Sequence, residues 1–293
     1  MNIYFSPKQP YSLSSVIRSH GWIQLLPFEN LDDHQAFAYT LQMNDGKVLR
    51  FEVHEEDDKI SVTVPDELSD LELRELRQTI SWMLALDVDL SDFYKVAMEE
   101  PRLQKAIRKS AGRILRASSL FEDVLKTILT TNTLWAATIS MNRRLVEHFG
   151  TPLAEAPEIH AFPTASTLVN VSEDELKEKV RVGYRAPFIH DLALRTSGGS
   201  LDLEAYRNST LTTAELKKEL LGLKGIGPYA AAHLLMLIGR YDFIPIDSWA
   251  LKMVSLEWHN GDPVKPKDVE NAFERWGQFK GLAYWMWDWT NMP

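Results

Sequence analysis

Leu221-Gly222-Leu223-Lys224-Gly225-Ile226-Gly227-Pro228-Tyr229-Ala230-Ala231 is the stretch on which the fold turns. A helical pattern from Thr212 ends in a glycine-rich turn, and a second begins at once and runs to Ile238, so the hairpin spans about 212–238. Gly225 and Gly227 are expected to supply positive φ angles and to leave the backbone uncovered. Pro228 suits the first turn of the second helix, where a missing N–H costs nothing. A turn of this kind aims backbone N–H groups and a helix N-terminus at an anion. It suits a DNA phosphate held without reading sequence. The plainer possibility is a corner in which the glycines do only steric work.

Asp247 follows Gly225 by 22 residues, in Phe243-Ile244-Pro245-Ile246-Asp247-Ser248-Trp249-Ala250-Leu251-Lys252. Flanked by Ile246 and Trp249, its carboxylate is expected to be partly buried. Asp247 also stands where a helix beginning at Ser248 needs an N-cap. The two roles are compatible.

Outward from this pair, residues 101–293 read as helical almost throughout. Leu103 to Leu115 is expected to form a basic helix. Phe121 to Phe149 reads as a long helical stretch with a break at Thr130–Thr133. Pro152, Pro157 and Pro163 mark a loop. Ser172 to Val180 opens with a capping box made with Glu175, and Phe188 to Thr196 ends at Gly198-Gly199. Ser248 to Trp258, Lys267 to Trp276 and the aromatic Gly281 to Trp289 complete the set. Before residue 100 the pattern differs. Residues 36–43 and 47–53 flank the turn signal Asn44-Asp45-Gly46, and 60–64 alternates with period two. Leu71 to Leu84 then reads as helix. The expectation is an α+β chain, mostly α: an N-terminal antiparallel β domain over 1–100 and a helical core over 101–293.

Composition narrows the function. With 45% hydrophobic and 25% charged residues, the chain is that of a globular protein. The absence of cysteine excludes disulfides, thiolate catalysis and iron–sulfur clusters. No apolar run nears the roughly 20 residues of a membrane span, and the first residues lack a secretory pattern, so a cytoplasmic location is expected, nucleoid-associated in a bacterium. The net charge of −9 argues against nucleic acid until it is divided. Residues 1–100 hold 8 Lys/Arg against 19 Asp/Glu; the remainder hold 24 against 22. Arg102, Lys105, Arg108, Lys109, Arg113 and Arg116 then lie in a stretch without acids. Local patches rather than net charge attract phosphates, although a solvated helix face is the readier explanation of such a run taken alone.

These residues resemble a known family. LKGIGPYAA followed by IPIDSWALK resembles the helix-hairpin-helix (HhH-GPD) DNA glycosylase superfamily. Phe121–Leu129 is similar to the first core helix of 3-methyladenine glycosylase II and of the 8-oxoguanine glycosylases. Gly183-Tyr184-Arg185-Ala186 resembles a segment of the 8-oxoguanine enzymes, and Trp276 to Trp289 the last helix of the alkylbase enzymes. The resemblance is specific over 95–293 and one of pattern over 1–94.

What the resemblance implies is a set of expectations. Asp247 is the catalytic carboxylate, stabilising positive charge on the sugar as the base leaves or orienting water. Asn132 fills the gap left by a flipped nucleotide, and Tyr184 and Arg185 contact the orphaned partner base. Lys224, Gly225 and Gly227 meet the DNA backbone. Tyr229, His233, Trp249, Tyr284 and Asp288 line the base pocket, Tyr284 and Asp288 lying four apart on one helix face. The carbonyls of Leu221, Leu223 and Ile226 offer a site for a monovalent cation; no other cofactor is implied. Bifunctional members carry a Schiff-base lysine where this chain has Tyr229, which implies a monofunctional enzyme. The missing cysteines set it apart from the endonuclease III branch. The expected partner is duplex DNA with a damaged base, bound by a monomer. An alkylated purine is the first expectation, from Tyr229, Trp285, Trp287 and the missing lysine; an oxidised purine is the second. The same residues also allow a non-catalytic DNA-binding module or, more remotely, a helical interaction protein.

Overall fold

The computed structural model describes residues 1–65 and 67–287. Strands form where β-branched and aromatic residues recur on one face. β1 (Asn2–Phe5), β2 (Phe28–Leu31), β3 (Ala36–Gln42), β4 (Val48–Glu56) and β5 (Lys59–Thr63) build one antiparallel sheet in the order β1-β5-β4-β3-β2. The Asn44-Asp45-Gly46 turn joins β3 to β4 as expected, with Gly46 at φ 91°. β4 alternates buried and half-buried residues, whereas β3 is buried on both faces. The sequence pattern missed β1 and β2 because these short edge strands are defined by their neighbours' hydrogen bonds, not by their own periodicity.

The chain divides into two compact units. The first takes Met1–Val88 and Arg113–Arg207; the second takes Asp89–Gly112 and the chain from Asn208 onward. This corrects the division at residue 100. The strand pattern stops near residue 64, yet the sheet finds its packing partners in 113–207. The helices Ser91–Ala97 and Pro101–Arg108 instead join the C-terminal helices. Phe93 meets Phe279 at 5.8 Å, Arg102 pairs with Glu257, and Arg275 pairs with Glu100.

In the first unit the Leu120–Thr130 helix is buried from Leu120 to Leu129, charges included. Each charge has a partner, as burial requires. Lys126 Nζ lies 2.6 Å from Glu122 Oε1, and the Tyr39 hydroxyl donates to Glu122 Oε2 at 2.5 Å. Trp22 Nε1 and the Ala117 N–H both donate to Asp123 Oδ1, at 2.7 and 3.0 Å. The break after this helix is where the sequence put it, and Trp135–Phe149 follows.

Two expectations fail here, and a third, the capped helix from Ser172 to Val180, holds with a change of helix type. The basic helix stops at Arg108, because Ser110 (φ 54°) and Gly112 (φ 126°) turn the chain away. Beyond the turn, Arg113 and Arg116 are buried. Arg113 donates to the carbonyls of Lys8, Pro10 and Val88, and Arg116 lies 4.2 Å over the Trp82 ring. The proline-marked loop contains a short hairpin, β6 (Pro152–Leu153) with β7 (Ala156–His160). In a two-stranded ribbon both strands are edges, so Pro152 and Pro157 are tolerated. The capped helix at Ser172 is α-helical only over Glu173–Glu175 and continues as a π-helical turn, Leu176–Val180.

The second unit is a helical bundle: Thr213–Leu221, Pro228–Leu237, Ser248–Trp258, Pro266–Phe273 and Lys280–Met286 join the two helices above. Phe273 is its aromatic centre, 5.2–5.7 Å from Trp258, Trp276, Tyr284 and Trp287. Gly281 is required: its N–H donates to Tyr241 O, and a Cβ there would lie 2.3 Å from Phe243 O. Among the described residues no helix is long and apolar enough to cross a membrane.

Candidate active site and nucleic-acid interface

The Thr213–Leu221 helix opens with a capping box, Thr212 with Glu215, and ends at Gly222. The turn that follows closes through Ile226 N–H donating to Leu223 O at 3.1 Å. Gly225 has φ 86°, the left-handed conformation that favours glycine. Gly227 does not share it. Its φ of −93° and ψ of −177° are extended, open to any residue. A Cβ on Gly227 would meet nothing within 4 Å, so this face of the hairpin is bare. Pro228 starts the second helix, and no side chain caps its N-terminus. First-turn N–H groups and the positive end of the helix dipole thus stand ready for an anion. Lys224 is exposed in the same turn.

Asp247 is the N-cap of Ser248–Trp258, its Oδ1 accepting the Ala250 N–H at 2.8 Å. The residue is exposed, contrary to the expected partial burial, because its apolar neighbours do not cover it: Trp249 is itself exposed and Ile246 only half-buried. Around it stand two tyrosines. Burial and the Asp247 charge push the Tyr229 phenol up to about 12. Tyr284 is buried and raised further, by burial, by the charge of Asp247, by Tyr229 and by its own hydrogen bond to Asp247. Both phenols therefore keep their protons at neutral pH and present O–H groups beside a carboxylate. Trp249, 45% exposed, meets Tyr284 edge-on at 6.5 Å. His233 lies 6.4 Å from the Tyr229 ring and 5.6 Å from Trp285, and burial pushes it down to about 4, so it is neutral. Five expected residues thus share one neighbourhood: Asp247, Tyr229, His233, Trp249 and Tyr284. Asp288 lies outside the described residues.

A second cluster belongs to the first unit. Asn132 is exposed and left-handed (φ 47°), and its amide donates to the Tyr184 hydroxyl at 3.4 Å. Tyr184 is 51% exposed and bonds back to Thr131 O. Arg185 is buried instead, with its guanidinium on the Thr131 and Val182 carbonyls and 4.6 Å over the Tyr184 ring. Its charge fixes the turn from behind. The sequence reading passed over Leu134, 80% exposed two residues beyond Asn132. The signal was available: a lone leucine between the Asn132 break and the helix opening at Trp135. Among the described residues no group of three or more His, Asp or Glu side chains is arranged to hold a metal.

The family model for HhH-GPD superfamily base excision DNA repair proteins matches residues 125–278. The chain belongs to this superfamily. It is an HhH-GPD DNA glycosylase of base excision repair. It is similar to the DNA-3-methyladenine glycosylase of Bacillus subtilis, with 26% identity over 208 residues covering 69% of this chain and 68% of that one. A probable N-glycosylase/DNA lyase of Methanothermobacter thermautotrophicus is 27% identical over 209 residues, 64% of this chain and 65% of that one. Among solved structures, the 3-methyladenine DNA-glycosylase of Archaeoglobus fulgidus superposes with a TM-score of 0.76 at 18% identity, covering 97% of each chain. The apo 8-oxoguanine glycosylase/lyase of Clostridium acetobutylicum superposes with a TM-score of 0.67 at 20% identity, covering 91% of this chain and 99% of that one. These likenesses establish the HhH-GPD fold over nearly the whole chain, sheet included.

Proposed function

We propose that this HhH-GPD enzyme, acting as a monomer, hydrolyses the N-glycosidic bond of an alkylated purine flipped from duplex DNA, with Asp247 as its catalytic carboxylate. The observation that carries the reading is the Asp247 carboxylate, fixed by the Ala250 N–H and surrounded by Tyr229, Trp249 and Tyr284 with no amine among them. As the base departs, the sugar gains positive charge, and a fixed carboxylate stabilises that charge without reorganising. Water then attacks the sugar carbon and Asp247 orients it. A Schiff-base route needs an amine nucleophile, and Tyr229 stands where the family's lysine would be. Aromatic faces favour a cationic alkylated purine through cation–π attraction. His233, neutral, adds no competing charge. The hairpin holds a backbone phosphate through Gly225, Gly227 and the first-turn N–H groups, with Lys224 adding charge. The carbonyls of Leu221, Leu223 and Ile226, neutral oxygens without a carboxylate, suit a monovalent cation better than a divalent one.

An oxidised purine is the second reading. It is favoured by Tyr184, exposed and joined to Asn132 within the Gly183–Ala186 segment, and by the likeness to the Clostridium enzyme. The test is incubation with duplexes carrying 3-methyladenine, 7-methylguanine, hypoxanthine, ethenoadenine or 8-oxoguanine, followed by alkali, with a parallel borohydride reaction. Release of the cationic bases, strands intact until alkali and no trapped adduct are expected. Release of 8-oxoguanine alone, or efficient trapping, would overturn the respective half of the proposal.

A further inference from the structure

Two hydrogen-bond donors reach the Asp247 carboxylate, and they come from different elements. The Ala250 N–H is local, since it belongs to the first turn of the helix that Asp247 caps. The Tyr284 hydroxyl is not local: it comes from the Lys280–Met286 helix. Asp247 is exposed, and an exposed carboxylate with one local donor turns freely about its own side-chain bonds. A second donor, anchored elsewhere in the same unit, removes that freedom. Supporting hydrogen bonds of this kind fix the geometry of a reacting group.

The donor is itself firmly held. Tyr284 is buried, with its ring edge-on to Phe273 at 5.7 Å and to Trp249 at 6.5 Å. Its helix is seated on the segment that leads into Asp247. The Gly281 N–H donates to Tyr241 O at 2.7 Å, and a Cβ on Gly281 would lie 2.7 Å from Tyr241 O and 2.3 Å from Phe243 O. Gly281 and Tyr284 are three apart and share a helix face. The glycine therefore sets how closely the helix approaches the 241–243 backbone, and with it where the Tyr284 hydroxyl stands. Tyr229, the other phenol of the neighbourhood, feels the Asp247 charge through space. All of these residues belong to the second unit.

We infer that Tyr284 is a positioning residue for glycosidic cleavage: its hydroxyl holds the Asp247 carboxylate in one orientation against the charge that develops on the sugar. That hydroxyl is then committed to Asp247 and does not read the edge of the base. A buried phenol needs a partner for its O–H in any case, and the plainer account is that Asp247 serves Tyr284. The exposure of Asp247 separates the two accounts. Water can satisfy the carboxylate without Tyr284, so what the phenol adds is direction. The inference rests on Asp247 being the catalytic carboxylate, but not on which lesion is removed.

The test is a double-mutant cycle of Tyr284→Phe and Asp247→Asn, read by single-turnover excision of the lesion that wild type releases fastest. Phenylalanine keeps the ring and its contacts with Phe273 and Trp249, so Tyr284→Phe should unfold at nearly the wild-type urea concentration. Any functional loss is then not a folding loss. Alone, Tyr284→Phe should slow excision about 10-fold, within the scale of misplacing a reacting group. Added to Asp247→Asn it should slow excision little further, because groups that act as a unit are not additive. Affinity for the intact lesion duplex, measured in the slow Asp247→Asn background, should not respond to Tyr284→Phe. A wild-type rate for Tyr284→Phe would overturn the inference and leave Asp247 as the partner of a buried phenol. An equal rate loss in both backgrounds, or a loss of affinity, would also overturn it and return Tyr284 to the base pocket. Failure of the underlying reading looks different: Asp247→Asn itself then excises at a near-normal rate, and the inference falls with it.

Discussion

Asp247 Oδ1 is anchored by the Ala250 N–H, and the carboxylate is also hydrogen-bonded by Tyr284. Asparagine caps a helix as well as aspartate does, so Asp247→Asn removes charge and little else. Its single-turnover rate should fall about 100-fold or more, the scale for losing a preorganised electrostatic group, while affinity for lesion DNA changes much less. A near-normal rate in rapid-quench measurements would leave Asp247 as a cap only. Gly227 supports a second residue-scale expectation. Because its backbone is extended and a Cβ would touch nothing within the chain, Gly227→Val should fold normally by circular dichroism. It should nevertheless weaken binding to every duplex alike, since the added side chain stands where a phosphate would approach and phosphates carry no sequence. Loss confined to one lesion would place Gly227 in a base pocket instead.

At the scale of elements, the second hairpin helix carries a titratable group within an apolar run. His233 has its value lowered from 6.5 to about 4 by burial. The folded state therefore refuses a proton that the unfolded chain accepts below 6.5. The stability tied to neutral His233 is present above that value and is lost as pH falls toward 4, to an extent of about 3 kcal/mol. Asp123 runs the other way. Burial, first, pushes its carboxyl up to about 7, so its contribution is full at low pH and fades as pH rises toward 7. The whole-chain curve mixes the two, and the difference between wild type and His233→Gln isolates the histidine. Urea unfolding at pH 7 and at pH 4.5 should show wild type losing more stability than the variant; equal losses would contradict the assignment. The hairpin itself was legible because Gly225, Pro228 and the flanking 3.6-residue periodicity act locally. So were β3, β4 and β5, which alternate or carry a turn signal of their own. β1 and β2 were not, since their pairing is decided by distant residues. The conformation of Gly227 was hidden too, because glycine tolerates extended backbone as readily as left-handed.

Across the molecule, charge was the least legible property. The run from Arg102 to Arg116 looked like one cationic face, but sequence cannot say which arginines spend their donors inside. Arg113 and Arg116 are buried against backbone carbonyls and Trp82, and Arg102 is paired with Glu257. Arg113→Gln should therefore destabilise the fold by roughly 3 kcal/mol, the scale of losing charge-assisted hydrogen bonds in a buried site. It should leave the slope of log affinity for duplex against log salt unchanged, because that slope counts phosphate-bound cations. A shallower slope with full stability would return Arg113 to the DNA-facing surface. The exposure of Asp247 was misjudged for the same reason: apolar neighbours in sequence do not fix which way a side chain emerges.

The interleaving of the two units has a consequence for synthesis and for engineering. Residues 89–112 leave the ribosome long before the helices from Asn208 onward that they join. The first unit has all its own chain once Arg207 has emerged, in keeping with domains forming as units during translation, whereas 89–112 must wait beside it as an unassembled insert. A truncation after residue 207 would strand that insert, and a fragment beginning at 208 would lack two of its helices. Transplanting the hairpin and Asp247 into a relative therefore means moving two separate segments together, and a single-crossover chimaera would break the module it sets out to exchange.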